Sequence, residues 1–279
     1  MKKVKQIVSV LILGVVGFGL VGCGKVNDKK VDVKNITIGV CPGPYGDMIT
    51  EAIAPQLEAK GYKITIREFT DYIQPDNSLS EKEIDVNLMQ HTEYLNKFTA
   101  DNNLELSPVI TVPTLSMGVF SNKYKSLEDL PNKAKIAVPD DVSNLARALR
   151  LLKENGLIEI KEGIDETKAS LKDISVNKKD IEFVELEGAQ LPRSLDSVDV
   201  ATVPGNFAYA SGFDYKEALA IEKLSENYKN IIAVRTADLD TELGKDLKDA
   251  VESKEYKDII EGGKYKEFDK PEWYIKAWK

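Results

Sequence analysis

Apolar and polar positions recur with two different periods along this chain, and the changes of period outline its elements. "NITIGV" (35–40) alternates β-branched and polar residues, which predicts a short strand, and "KITIREF" (63–69) and "DVNLMQ" (85–90) repeat the pattern. Further strands are predicted at "AKIAVPD" (134–140), "DIEFVELEG" (180–188), "DVATVPG" (199–205) and "NIIAVRT" (230–236). Met48 to Lys60 has helical character and follows the Gly/Pro loop "CPGPYGD". In "LARALRLLKENGL" the residues Leu145, Ala148, Leu149 and Leu152 return at helical spacing, an apolar stripe for a core that stops near Gly156, with Ser143 as its expected N-cap. Strands alternating with helices predict an α/β protein with mostly parallel sheets. No internal repeat or low-complexity tract interrupts them.

The N-terminus reads differently. Lys2, Lys3 and Lys5 precede an apolar run from Ile7 to Leu20, the layout of an export leader. The run is short of the roughly 20 apolar residues of a membrane-spanning helix. Leu20-Val21-Gly22-Cys23 resembles the bacterial lipobox, which implies removal of residues 1–22 and a diacylglycerol on Cys23. Residues 23–34 then form the lipidated cysteine and a polar, lysine-rich tether. Gly17 to Gly22 spells G-x-G-x-x-G and Gly19 to Lys25 spells G-x-x-x-x-G-K. The first lies inside the leader with no preceding strand, and the second has Val26 where a magnesium-binding hydroxyl belongs.

Charge narrows the partners. The chain carries 38 Lys+Arg against 46 Asp+Glu, and loss of residues 1–22 removes three lysines and no acid, so −8 becomes about −11. That sign argues against nucleic acid or an anionic lipid surface as the main partner. About 245 residues remain for one large or two modest domains. With Cys23 lipidated, Cys41 has no intrachain partner. His91 is the sole histidine, and no nucleophile elbow, H-E-x-x-H or metal-spaced cysteine pair is present. The adjacent acids Asp140 and Asp141 point apart on an extended segment. The expectation is therefore a binding protein and not an enzyme, needing no cofactor and no metal.

Four stretches resemble one known family. "FTDYIQPDNSLSEKEIDVNLMQHTEYL" (69–95), "IAVPDDVSNLARALRLLKENGLI" (136–158), "VELEGAQLPRSLDSVDVATVPGNFA" (184–208) and the closing "GGKYKEF" are similar, in this order, to the methionine-binding lipoproteins of the NlpA family. The resemblance implies a two-lobed, periplasmic-binding-protein-like α/β fold of type II with ligand in the cleft between lobes. It implies lobe 1 from residues 35–122 plus 227–279 and lobe 2 from 123–226. It also implies L-methionine as ligand, the permease and ATPase of an ABC importer as partners, and a lipid-anchored place on the outer face of the cell membrane.

Carried over residue by residue, the family's ligand site falls on Phe69, Tyr72, His91, Tyr94, Asn144, Arg147 and Asn206. Physical chemistry gives each a task. A zwitterionic amino acid needs a fixed cation for its carboxylate, and the planar fork of Arg147 matches two oxygens. A helix start with Asn144 and Arg147 on its first turn adds donors and a favourable partial charge. Phe69 and Tyr72 suit a thioether through sulfur–ring contacts. Arg150, one turn beyond Arg147, is expected at the surface or the lobe edge. Two stretches, "CPGPYGD" and "TVPTLSMGVFS" (111–121), lack the histidines that family members carry there. D-methionine, a methionine-containing dipeptide or another apolar amino acid therefore stay open as ligands, as does a non-transport exported enzyme or adhesin on the same fold.

Overall fold

A computed structural model describes residues 34–279; the leader, Cys23 and all of the tether but Lys34 lie outside the described residues. The chain begins with β1 (Lys34–Val40), then α1 (Tyr45–Met48), a π-helical turn over Ile49–Ile53 and α2 (Ala54–Glu58) as one helical segment. There follow β2 (Tyr62–Glu68), α3 (Ile73–Ser80), β3 (Val86–His91), α4 (Thr92–Asn102) and β4 (Leu106–Thr111). Next come β5 (Gly118–Phe120), β6 (Lys135–Pro139), α5 (Val142–Glu154), the two-stranded ribbon of β7 (Ile158–Ile160) and β8 (Ile174–Asn177), and β9 (Glu182–Leu186). The chain continues through α6 (Leu191–Ser194), β10 (Val200–Val203), α7 (Gly205–Ala210) and β11 (Ala220–Ile221). It ends with β12 (Asn230–Arg235), α8 (Glu242–Val251), α9 (Lys254–Gly262) and α10 (Glu272–Ala277).

Two five-stranded sheets organise these elements, ordered β2-β1-β3-β12-β4 and β11-β5-β10-β6-β9. Each defines a lobe. The sheets are mixed, which corrects the mostly parallel expectation. β1 runs parallel to β2 and β3, and β6 parallel to β9 and β10, but β12 is antiparallel to both its neighbours and so is β5. The reason is the crossing of the chain between lobes: β5 and β12 enter their sheets from the other lobe rather than through a covering helix, so no right-handed crossover sets their direction. β5 pairs within the second sheet, so the outward crossing falls between Thr111 and Gly118, ahead of the boundary expected at residue 122. The return lies between Ile221 and Asn230.

Each lobe has its own apolar core. Ile38, Met48, Leu88, Ile232, Leu247 and Tyr256 fill the first, between the sheet and helices on it. In the second, the predicted stripe of α5 (Leu145, Ala148, Leu149, Leu152) packs with Val119, Ile136, Val138 and Val200. Leu149 and Leu152 are fully buried, which contributes about 1.5–3 kcal/mol each. Truncating either to Ala costs roughly 2–5 kcal/mol. The start of α5 differs from expectation: Asp141 is the N-cap, extended at φ −73° and ψ 140°, and accepts from the Asn144 backbone N–H. Ser143 instead donates its hydroxyl to Asp141 Oδ1 at 2.9 Å. Asn144 thus lies in the first turn of α5 and Arg147 in the second.

Candidate functional site: a polar and aromatic cavity between the lobes

A cavity enclosing about 310 Å³ of empty space lies between the two sheets. Tyr45, Tyr72, Met89, Gln90, His91 and Tyr94 line it from one lobe, Asn144, Arg147, Pro204, Gly205 and Asn206 from the other, and Asn230 from the start of β12. The register of β12 puts Asn230 opposite His91 at the end of β3. Six of the seven residues expected at the ligand site thus meet here. Phe69 does not. It is 4% exposed within a separate apolar cluster with Leu79, Ile84, Leu95 and Ile231, and the Arg67 guanidinium covers its ring. Its side chain packs into that cluster, none of whose members lines the cavity.

His91 joins the lobes. As N-cap of α4 it accepts from the Tyr94 N–H at Nδ1, 3.1 Å away, so its proton sits on Nε2, which faces Asn144 Oδ1 at 3.1 Å. Burial pushes its pKa down to about 3, and the Arg147 charge adds to this, so the imidazole is neutral and donates. Asn144 is pinned from its other side, where Nδ2 donates to both oxygens of Asp141.

Arg147 is the only charged residue on the cavity wall, and a residue far along the chain holds it. Its Nε lies 2.7 Å from both oxygens of Glu222, and Nη2 lies 2.5 Å from Oε2. The two side chains are 4% and 5% exposed. Burial opposes the guanidinium charge, but the Glu222 carboxylate more than offsets this and leaves the pKa of Arg147 above its ordinary value. Nη1 points the other way, 3.4 Å from Asn144 Oδ1. Arg150, expected at the surface or the lobe edge, is 22% exposed, stacked on the Tyr228 ring and 3.9 Å from Glu222.

The Tyr72 hydroxyl donates to Asn206 Oδ1 at 2.6 Å, a second link between lobes, and Asn206 Nδ2 donates to the Pro42 carbonyl. Gly43 makes this approach possible: at φ +142° it adopts a backbone that favours glycine, and a Cβ there would stand 2.7 Å from the Asn206 side chain. Tyr72 meets Tyr94 edge-on with centroids 5.6 Å apart and leans on Phe207 at 5.2 Å. Met89 and Cys41 pack behind these rings. Burial, then the nearby Asp71, push the Cys41 thiol up, so it stays protonated and packs as a small apolar residue against Met89 and Tyr94.

Both stretches that lack the family's histidines belong to this region. "CPGPYGD" supplies Tyr45, whose hydroxyl accepts from the Leu115 N–H in the second stretch, and Met117 N–H donates to Glu222. Tyr45 had a visible cue, an aromatic residue set between Pro44 and Gly46 in a loop after a strand. Glu222 had none, since one acid after the apolar Leu219 and Ile221 reads like any solvated acid. Gln90 was equally silent: its Nε2 donates at 2.5 Å to Asp76, a buried acid whose pKa burial raises to about 7. Among the described residues no group of His, Cys, Asp or Glu could hold a metal ion. The cavity therefore offers a fixed guanidinium and amide groups beside aromatic rings and the Met89 thioether, suited to a small zwitterion with an apolar side chain.

A sequence model of the NlpA lipoproteins matches residues 36–273. The chain belongs to the NlpA lipoprotein family. Among relatives of this family, it is 35% identical to the D-methionine-binding lipoprotein MetQ of Salmonella typhi, with 80% of this chain and 83% of that protein covered. Among solved structures, a nutrient-binding protein of Burkholderia cenocepacia bound to methionine is 36% identical and superposes with a TM-score of 0.78, covering 83% of this chain and 97% of that one. An ABC transporter periplasmic substrate-binding protein of Coxiella burnetii is 33% identical, with a TM-score of 0.76 over 81% of this chain and 96% of its own. The two-lobed α/β architecture is thus common to this NlpA chain and its solved relatives. No helix among the described residues is long and apolar enough to cross a membrane.

Proposed function

We propose that this protein captures methionine in the interlobe cavity and delivers it to the permease and ATPase of an ABC importer, while a lipid on Cys23 holds it at the outer face of the cell membrane. The observation that carries the reading is that Arg147, Asn144, Asn206 and Asn230 line the same cavity as Tyr72, Tyr94 and Met89. Nη1 of Arg147 and the amides of Asn144, Asn206 and Asn230 suit an α-carboxylate and an α-ammonium, and the aromatic slot suits a thioether. The Burkholderia relative bound to methionine and the relatives named for D-methionine support the same ligand. The role is binding rather than catalysis, in keeping with relatives named for binding methionine or bound to it.

Titration calorimetry on unfolded, dialysed and refolded protein tests this. L-methionine is expected to bind about 30- to 150-fold more tightly than L-alanine, because its extra apolar atoms contribute roughly 2–3 kcal/mol on burial. D-methionine and a methionine dipeptide in the same series fix the stereochemistry and length of the ligand. Equal affinity for methionine and alanine excludes the slot as a side-chain site. For the anchor, Cys23→Ala is expected to leave the protein unprocessed or to release it into the soluble exported fraction.

A further inference from the structure

Glu222 sits at the first position after β11, where the chain turns back toward the first lobe, and it does not line the cavity. Its carboxylate is fixed from two sides. The Met117 N–H donates to Oε2 at 3.1 Å while the Glu222 N–H donates to the Met117 carbonyl at 3.0 Å, so the outgoing and returning crossings clasp each other at this residue. The other side takes the Nε and Nη2 edge of Arg147. The guanidinium is thereby turned with Nη1 toward Asn144, and its charge is balanced before any ligand arrives.

We infer that Glu222 is the specificity-determining residue that makes this cavity accept net-neutral amino acids and refuse anions of the same shape. The inference rests on the cavity being the amino-acid site. The charges paired with or packed behind the wall enter the balance, and beyond them lie the buried Lys229 before Asn230 and Asp71 near Tyr94. Arg147 is cancelled by Glu222; Arg150 is partly exposed at 3.9 Å from the same carboxylate; Asp141 lies behind Asn144; and Asp76 lies behind Gln90. A zwitterion brings no net charge into this buried site. A carboxylate without an ammonium brings an uncompensated negative charge, which a poorly solvated cavity penalises. Without the Glu222 charge, Arg147 becomes an unbalanced cation and the same anion is the better partner.

Glu222→Gln tests this with three probes on refolded, ligand-free protein: L-methionine, 4-(methylsulfanyl)butanoate, which keeps the side chain and carboxylate but lacks the ammonium, and L-alanine. The wild-type protein is expected to favour methionine over the butanoate strongly, and in Glu222→Gln that ratio is expected to shrink at least tenfold. Equal weakening of both ligands overturns the inference and leaves Glu222 a structural residue. Tighter methionine binding with an unchanged ratio also overturns it, because Glu222 then merely competes for Arg147. Should the single variant fail to fold, Arg147→Gln with Glu222→Gln leaves no charge on either residue and is expected to keep discriminating against the anion, whereas loss of that discrimination refutes the charge balance. A wild-type protein that binds methionine no better than alanine sinks the reading of the cavity instead, and so is told apart.

Discussion

Arg147 and Glu222, 75 positions apart, form a buried ion pair in which one guanidinium nitrogen reaches both carboxylate oxygens at 2.7 Å. Arg147→Ala therefore has two expected consequences where the sequence suggested one. Ligand binding falls by roughly 10²- to 10⁴-fold, the equivalent of removing one partner of a buried charge pair at about 3–5 kcal/mol. The protein itself also loses stability on the order of 3 kcal/mol, because Glu222 stays buried with only Arg150 nearby. Arg147→Lys keeps the charge but not the fork and is expected to recover only part of either loss. Calorimetry and urea unfolding measure the two effects separately. An Arg147→Ala protein as stable as wild type contradicts the structural half.

The Tyr72–Asn206 hydrogen bond spans the lobes and is expected to favour the closed, ligand-holding form. In Tyr72→Phe the ring contacts with Tyr94 and Phe207 persist, and only the hydroxyl is lost. Methionine affinity is expected to drop about 5- to 30-fold, in line with the roughly 1–2 kcal/mol of a buried hydrogen bond whose acceptor stays behind. Most of the change belongs in the dissociation rate, which stopped-flow fluorescence can follow. A loss carried only by the association rate speaks against a latch.

Phe69 gives the opposite pattern. Because it packs among Leu79, Ile84 and Ile231 and does not line the cavity, Phe69→Leu is expected to lower stability by about 1 kcal/mol and leave methionine affinity within twofold. Phe69→Ala should cost roughly 3–5 kcal/mol. A Phe69→Leu protein with normal stability but tenfold weaker binding returns this residue to the ligand slot.

Asp76 and His91 give stability opposite slopes against pH. Asp76 is raised to about 7 by burial, so between about pH 4 and 7 the folded protein holds a proton that the unfolded chain has released. Stability contributed there falls as pH rises through this window, by up to about 4 kcal/mol for an isolated group. His91 is pushed down to about 3, so the unfolded chain binds the extra proton and stability falls as pH drops below about 6.5. Asp76→Asn removes the first slope only. It is expected to be more stable than wild type at pH 8, by about 1–4 kcal/mol, and to show no decline between pH 4 and 7. Denaturant titrations at pH 4.5, 6 and 8 test the sign.

Much of the fold was legible because it is encoded over short distances. The alternation in "NITIGV" and "KITIREF" marks β1 and β2, and the spacing of Leu145, Leu149 and Leu152 marks the buried face of α5. Other patterns went unread, as in α8, whose apolar face is as regular as that of α5, or were too short to show a period, as in β5 and β11 with three and two residues. Strand direction was misjudged for a different reason. Nothing within β12 states that the chain arrives from the other lobe, and that arrival is what makes it antiparallel.

By itself the sequence determined the α/β class, most strand positions, the buried stripe of α5 and six of the seven expected residues that meet at the cavity, because periodicity and family motifs lie within a few residues of one another. Only the tertiary structure decided that Phe69 faces the core, that Asp141 rather than Ser143 caps α5, and that Glu222 completes Arg147. Those outcomes depend on which cluster a side chain packs into, which side chain reaches the first free N–H, and where two crossings of the chain meet. The first and the last are fixed by packing over tens of residues, a distance at which a linear pattern carries no record of contact, whereas the cap is a local competition between Asp141 and Ser143 for the same N–H groups.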